Sequence, residues 1–307
     1  FLEMSIKQMT MPNFLIIGAP KAGTSSLYNY LKEHPQIYMS PIKEPKFFAL
    51  EGENVDFQGP QDYTKDYITD IETYCGLFNN LKQEIAIGEA SPWYLHIPKS
   101  AERIQYYIPE VKLIAILRDP VERAYSQFLS LVQRNFEPLT DFAQALSVEP
   151  ERIINNWSPR WHYKSRGFYY TQLKRYFDRF DRKQMKIYLY EDFRFDSCGV
   201  VQDIFHFLGV DDTFIPNISK KHNVTKLPRN KTLHKLFSQQ NKIKSILAPF
   251  FSPKMRQHIS STLTDINTKP KPELQPEIRR KLIEEYQQDI LKLQDLIRRD
   301  LSQWLKV

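Results

Sequence analysis

Cysteine is nearly absent from this chain: Cys75 and Cys198 are the only two in 307 residues. That excludes a disulfide framework and a cysteine-rich metal site. Also missing is any run of about 18 apolar residues, so the sequence offers no transmembrane helix. No secretory signal precedes the first apolar segment. Zinc-finger, RNP and basic-zipper patterns do not occur, which sets nucleic acid aside as a partner. There is no internal repeat and no low-complexity segment. The first residue is Phe1 and not methionine, which suits a domain cut from something longer.

What is present is a globular composition. Hydrophobic residues make up 41%, with 20 Phe and 17 Tyr, enough at this length to bury a sizeable core. The formal net charge of +7 favours an anionic partner such as a phosphorylated small molecule or an acidic surface.

Apolar runs alternate with helical periodicity. "FLII" (14–17), "IAIGEASPWYL" (85–95), "VKLIAILRDP" (111–120) and "KIYLYED" (186–192) read as strands, buried ones where the run is continuous. Between them, 24–34, 121–134, 168–180 and 200–208 read as helices. Asp119 as N-cap, Pro120 at N1 and Glu122 at N3 spell a capping box after the third strand. Three prolines within 270–276 mark a linker. Ile278, Leu282, Ile290, Leu293, Ile297, Leu301 and Trp304 then fall on one helical stripe. The expectation is an α/β fold, P-loop-like and three-layered, with a central, mostly parallel sheet and a helical C-terminal part. Residues 1–12 would be an extension or linker and 13–307 a single domain.

The first strand runs into "GAPKAGTSS" (18–26). A strand, a tight glycine turn and a helix start together present backbone N–H groups and the positive end of the helix dipole to an anion. Gly18 and Gly23 keep the spacing of a Walker A loop, but the lysine is Lys21, inside the loop, where a Walker A lysine follows the second glycine. Nucleotide hydrolysis and kinase chemistry need Mg²⁺, held by an aspartate after an apolar strand. The third strand ends instead in Arg118, with Asp119 used as a helix cap. A cation in that place suits a second phosphate. Two phosphate sites at two strand ends, without a metal site, imply a nucleotide phosphorylated on both sides of its ribose. A P-loop kinase acting on a small molecule and a non-catalytic nucleotide-binding module are the alternatives.

"PKAGTSSL" (20–27) resembles the 5′-phosphosulfate loop of sulfotransferases that use 3′-phosphoadenosine 5′-phosphosulfate (PAPS). "LRDPVERAYSQF" (117–128) resembles their 3′-phosphate motif. "KEPKFF", "GEASPWYL" and the closing "DLSQWL" are similar to the branch that holds bacterial and heparan-type enzymes. The resemblance spans about residues 13–230 and the terminal helix. It implies that Lys21 contacts the 5′-phosphate and bridging oxygen. Ala22, Gly23, Thr24, Ser25 and Ser26 would hold the 5′-phosphate, and Arg118 and Ser126 the 3′-phosphate. "HNVTKLPR" (222–229) resembles the loop that closes over the nucleotide and adds Lys226 and Arg229. The product would be adenosine 3′,5′-bisphosphate (PAP), with no metal required.

An acceptor hydroxyl must lose a proton as it attacks sulfur, so a carboxylate or histidine base is expected. The resemblance places it at Glu44; position at a strand end makes Glu89 the alternative. His34 reads as a structural helix-end histidine. Two departures from the heparan-type pattern, Ala90 where lysine is common and no C-terminal disulfide pair, point away from a sulfated polysaccharide. Few cysteines and no signal favour a reducing, cytoplasmic setting, a secretory lumen being the alternative if an upstream anchor was removed. The resemblance extends to sulfotransferase domains of bacterial polyketide assembly lines and implies, as the acceptor expected first, a 3-hydroxyacyl chain on an acyl carrier protein, whose acidic surface would suit the basic chain. A small alcohol or lipid comes next, and a glycan last.

Overall fold

The structure, a computed structural model, describes residues 9–60, 67–218 and 272–307, with the backbone of 227–228 and 268–269. Its centre is a sheet of five parallel strands: Phe14–Gly18 (β1), Ile37–Met39 (β2), Ala86–Ala90 (β3), Lys112–Leu117 (β4) and Met185–Leu189 (β5), in the order β2-β3-β1-β4-β5. Every residue of Phe14–Ile17 is fully inaccessible. Since alternate residues face opposite sides of a sheet, both faces are covered, and this is why the run is continuously apolar. Gly88 pairs with Phe14. A Cβ there would come within 2.2 Å of the Phe14 ring, so glycine is what lets the ring pack across β3.

Four of the five strands follow the apolar runs. β2 carries no comparable signal: three residues, I-Y-M, are too short for a period to show. The helices that frame the site are Thr24–Lys32 (α1), Pro120–Gln133 (α2), Tyr169–Phe177 (α3), Ser197–Leu208 (α4) and Pro276–Ile297 (α5). The C-terminal stripe is not one helix. α5 stops at Arg298, whose φ is 54°, and Leu301 and Trp304 are buried from the separate turn region that follows.

Asp119 does cap α2, its Oδ1 accepting from the N–H of Val121 at 2.8 Å and of Glu122 at 3.2 Å. The expected capping box is only half there. Glu122 does not reach back to the cap; its carboxylate meets Arg118 at 3.4 Å and Arg279 of α5 at 3.3 Å. Two cations outbid one backbone N–H for the carboxylate. α3 has no capping side chain of its own. Asp289 of α5 supplies the acceptor, taking hydrogen bonds from the N–H groups of Tyr170 and Thr171 at 2.9 and 3.4 Å.

Between α2 and α3 the chain crosses the cleft wall, and a buried polar knot fixes it. Arg152 makes a two-pronged pair with Glu137, 2.8 Å on each side, and the Tyr163 hydroxyl donates to the same carboxylate. The Glu137 side chain is wholly buried. Removing one partner of such a pair strands the other charge. Glu137→Ala is therefore expected to cost about 3–5 kcal/mol, read as a lowered urea midpoint; a loss below about 1 kcal/mol, the range of a surface pair, would show that the knot is dispensable.

Candidate active site

From β1 the chain leads to β2 on one side of the sheet and from the adjacent β4 to β5 on the other, so a crevice opens at the carboxyl ends of β1 and β4. A cleft of about 810 Å³ lies there. Among the described residues its lining holds eight cationic side chains, Lys21, Lys43, Lys46, Arg118, Arg134, Arg160, Arg166 and Arg194, against one carboxylate, Glu44.

The loop after β1 forms the floor. Lys21 and Gly23 both have left-handed backbone, with φ of 68° and 92°, a twist that turns successive N–H groups inward into an anion-binding concavity. A Cβ on Gly23 would also meet the Phe193 ring at 3.0 Å. Only glycine fits there. Gly18 is needed for a different reason, since a Cβ would strike Leu95 at 2.7 Å. α1 begins with no side-chain cap and no acidic residue in its first turn, leaving its N–H groups for a ligand. Thr24, Ser25 and Ser26 line the cleft beside them, while Ala22 is buried beneath.

Lys21 sits among like charges. Burial first, then Arg134 and Arg118, push its ammonium down to about 8. This is a cation held short of counter-charge, and an anion bound against it relieves the cost. Arg118, at the end of β4, donates to the Lys21 carbonyl at 3.1 Å and lies over the Tyr190 ring at 4.8 Å. The two strand ends are thus tied to each other. Along α2, Ser126, Ser130 and Arg134 face the cleft at four-residue spacing, one helical stripe.

Glu44 enters from the segment after β2. Its φ of 64° and that of Lys46, 62°, lie where non-glycine residues are uncommon. Two hydrogen bonds hold the segment there: Glu44 N–H to the Ala90 carbonyl at 3.1 Å and Lys46 N–H to Ser91 Oγ at 3.1 Å. Burial pushes the Glu44 carboxyl up, but Lys43, 2.8 Å away, with Lys46 and Arg160, outweighs it and holds the group down at about 2. The Lys46 ammonium lies between the rings of Tyr67 and Trp93, 4.7 and 4.9 Å from their centres.

Glu89 is placed differently. It is completely inaccessible and does not line the cleft. Burial pushes its carboxyl up to about 7, against hydroxyls of Tyr94, Ser91 and Tyr74 that favour the charged form. His34 is structural, as expected: its ring takes the Gln36 N–H at 3.0 Å, bonds the Asp211 carbonyl at 2.8 Å and packs between Phe205 and Phe214. Lys226 and Arg229 lie outside the described residues. The cleft also holds residues to which the sequence analysis gave no role: Lys43 and Lys46 of the "KEPKFF" segment, Ser130, Arg134, Arg160, Arg166 and Arg194. Ser130 and Arg134 had a signal in the helical spacing from Ser126.

A family model described as "Sulfotransferase family" matches residues 12–214. The crystal structure of a sulfotransferase from Alicyclobacillus acidocaldarius is similar over 97% of this chain and 100% of that one, with 34% identity and a TM-score of 0.77. Membrane-associated sulfotransferase kil1 of Dictyostelium discoideum is 36% identical over 159 residues, 51% of this chain and 31% of that protein. Bifunctional heparan sulfate N-deacetylase/N-sulfotransferase 4 of Mus musculus is 31% identical over 211 residues, 65% of this chain and 22% of that protein. The chain therefore spans less than a third of the length of these two curated relatives.

Proposed function

Because the chain belongs to the sulfotransferase family, we propose that it transfers a sulfuryl group from PAPS to an acceptor hydroxyl. The observation that carries this reading is the pair of cationic cradles at the ends of β1 and β4, tied together by the hydrogen bond from Arg118 to the Lys21 carbonyl. The 5′ end of the nucleotide would lie against Ala22, on Lys21, the N–H groups of Gly23, Thr24 and Ser25, and the hydroxyls of Thr24, Ser25 and Ser26. The 3′-phosphate would take Arg118 and Ser126. Lys226 and Arg229 are retained as further phosphate ligands on the strength of their motif.

The donor supplies an activated sulfuryl group. As the acceptor oxygen bonds to sulfur, the bond from sulfur to the phosphate oxygen breaks and the hydroxyl proton passes to Glu44. Lys21 stands where negative charge develops on the departing oxygen, which accounts for a lysine inside the loop. Glu44, its charged form favoured by Lys43, Lys46 and Arg160, lines the cleft and would be the proton acceptor, while Glu89 is inaccessible and does not line it. A kinase would want a metal-holding carboxylate at the end of β4, and Asp119 is spent on the helix cap and on Arg279, 2.9 Å away.

For the acceptor, Arg134, Arg166 and Arg194 line the same cleft beyond Lys21 and Arg118. They favour the hydroxyl of an anionic saccharide or other hydroxy acid. The 3-hydroxyacyl chain on an acyl carrier protein, foremost from sequence, is the second reading, favoured by the apolar wall of Ile42, Trp93, Leu129 and Leu131. Mass spectrometry of each acceptor after incubation with PAPS decides between them by the gain of one sulfuryl group.

Calorimetry with PAP and with ATP, each with and without Mg²⁺, tests the donor. Tight, metal-independent binding of PAP is expected; ATP bound tightly only with Mg²⁺ would replace this reading with the kinase. Arg118→Ala is expected to weaken PAP by about tenfold to a hundredfold, the worth of a charged hydrogen bond. Adenosine 5′-monophosphate, lacking the 3′ group, should change little. Equal weakening of both nucleotides would make Arg118 a structural residue.

A further inference from the structure

Arg279 stands in the first turn of α5, 160 residues along the chain from Asp119, yet its guanidinium closes on the start of α2. Nη2 donates to Asp119 Oδ2 at 2.9 Å, Nη1 to Glu122 Oε1 at 3.3 Å and Nε to the Lys306 carbonyl at 3.1 Å. Each of its three nitrogens thus has an acceptor, and the residue does not line the cleft. Glu122 turns its other oxygen to Arg118 Nη2 at 3.4 Å. The result is a row of alternating charge, Asp119, Arg279, Glu122 and Arg118. It ends at the residue assigned above to the 3′-phosphate.

Arg118 lies in acidic surroundings. Besides Asp119 and Glu122, a third carboxylate, Glu191, is close enough to feel both Asp119 and Arg118. Asp119 is 6% exposed. Burial pushes its carboxyl up, and Arg279 is the first of the groups that favour its charged form. Take Arg279 away, and Asp119 loses its paired cation while both oxygens of Glu122 are left to Arg118. A phosphate would then find a guanidinium already neutralised by protein carboxylates, with uncompensated like charge beside it. With Arg279 in place, Glu122 is shared between two cations. Its contact with Arg118, at 3.4 Å, is longer than the about 2.7–2.9 Å of a strong charged hydrogen bond. Neutral groups, the Lys21 carbonyl and the Tyr190 ring, orient Arg118 instead. They leave its charge for a ligand.

We propose that Arg279 is a positioning residue of the 3′-phosphate site: by drawing Asp119 and Glu122 onto itself, it keeps Arg118 available to the phosphate that distinguishes PAP from adenosine 5′-monophosphate. This rests on the donor reading above. It also gives α5, none of whose described residues lines the cleft, a part in choosing the nucleotide.

The test is calorimetry of PAP and of adenosine 5′-monophosphate on the full chain, at one salt concentration because salt screens partly exposed charges. Arg279→Met is expected to weaken PAP about tenfold, the size of coupling found within one ion-pair network, and to change adenosine 5′-monophosphate by less than about twofold. Arg279→Lys, which keeps the charge, should recover part of the loss. A mere loosening of α5 would weaken both nucleotides together and would not be repaired by removing an acid. Glu122→Gln supplies that readout. Alone it should leave PAP bound at least as tightly as in wild type; added to Arg279→Met it should restore most of the lost affinity. An Arg279→Met protein that keeps the wild-type ratio of the two affinities overturns the proposal. So does a loss that Glu122→Gln leaves in place. Should Arg279→Met fail to fold, Glu122→Gln alone decides. PAP weakened in that variant would mean that Glu122 supports Arg118 and does not compete for it, and the proposal falls. A wild-type protein that does not prefer PAP over adenosine 5′-monophosphate overturns the 3′-phosphate assignment and this inference with it, whereas the other outcomes leave that assignment standing.

Discussion

Lys21→Ala is expected to lower kcat by about 10²–10³, the usual loss when a donor facing a developing oxyanion is removed. The side chain sits at the floor of the cleft among Arg134, Arg118 and Lys43, so the remaining cations still attract the nucleotide. PAP affinity should therefore fall less than kcat. Activity within a few-fold of wild type would remove Lys21 from the reaction. The lysine also sets a pH dependence. In the free protein its ammonium is held at about 8, and a bound phosphate raises it. A group whose bound value lies above its free value takes up a proton on binding. PAP affinity is thus full below pH 8 and declines as pH rises through 8 toward the value in the complex. Calorimetry in buffers of different ionisation enthalpy reads that proton directly. Lys21→Arg should flatten the decline, because arginine stays charged above pH 12.

Glu44→Gln should abolish most turnover, by about 10²–10⁴ for a lost general base, with PAP affinity close to that of wild type. The rival carboxylate has a distinct signature. A base must be ionised, so activity rises with pH through its own titration. Glu44 lies at about 2 and Glu89 at about 7. With Glu44 as base, kcat/KM should show no rise between about pH 5 and 7. A rise centred near pH 7 that disappears in Glu89→Gln would transfer the role to Glu89.

Much of the scaffold could be read from local sequence. β1 and β4 announce themselves as continuous apolar runs because both sheet faces are covered, and Asp119-Pro120 marks the start of α2 because capping involves neighbours in the chain. The turn after β1 was legible for the same reason: its glycines, lysine and hydroxyls fall within nine residues. β2 escaped because a three-residue strand has no period. The break after Ile297 escaped because Leu301 and Trp304 stay buried in either geometry, so burial alone keeps the stripe looking helical.

The charge pattern of the cleft was not legible. Arg160 and Arg166, on the stretch between α2 and α3, and Arg194, just after β5, are ordinary basic residues in a basic chain until the fold brings them to one cleft. Glu44 and Glu89 are both carboxylates near strand ends; the fold turns one into the cleft and the other behind it. The sequence by itself determined the sheet's central strands, the Asp119 cap of α2 and the glycine turn after β1, since those depend on contacts a few residues apart. Only the tertiary structure decided which charges face one another, because that depends on residues far apart in the chain being brought to the same desolvated space, where a neighbour's charge and not residue type sets what each group can do.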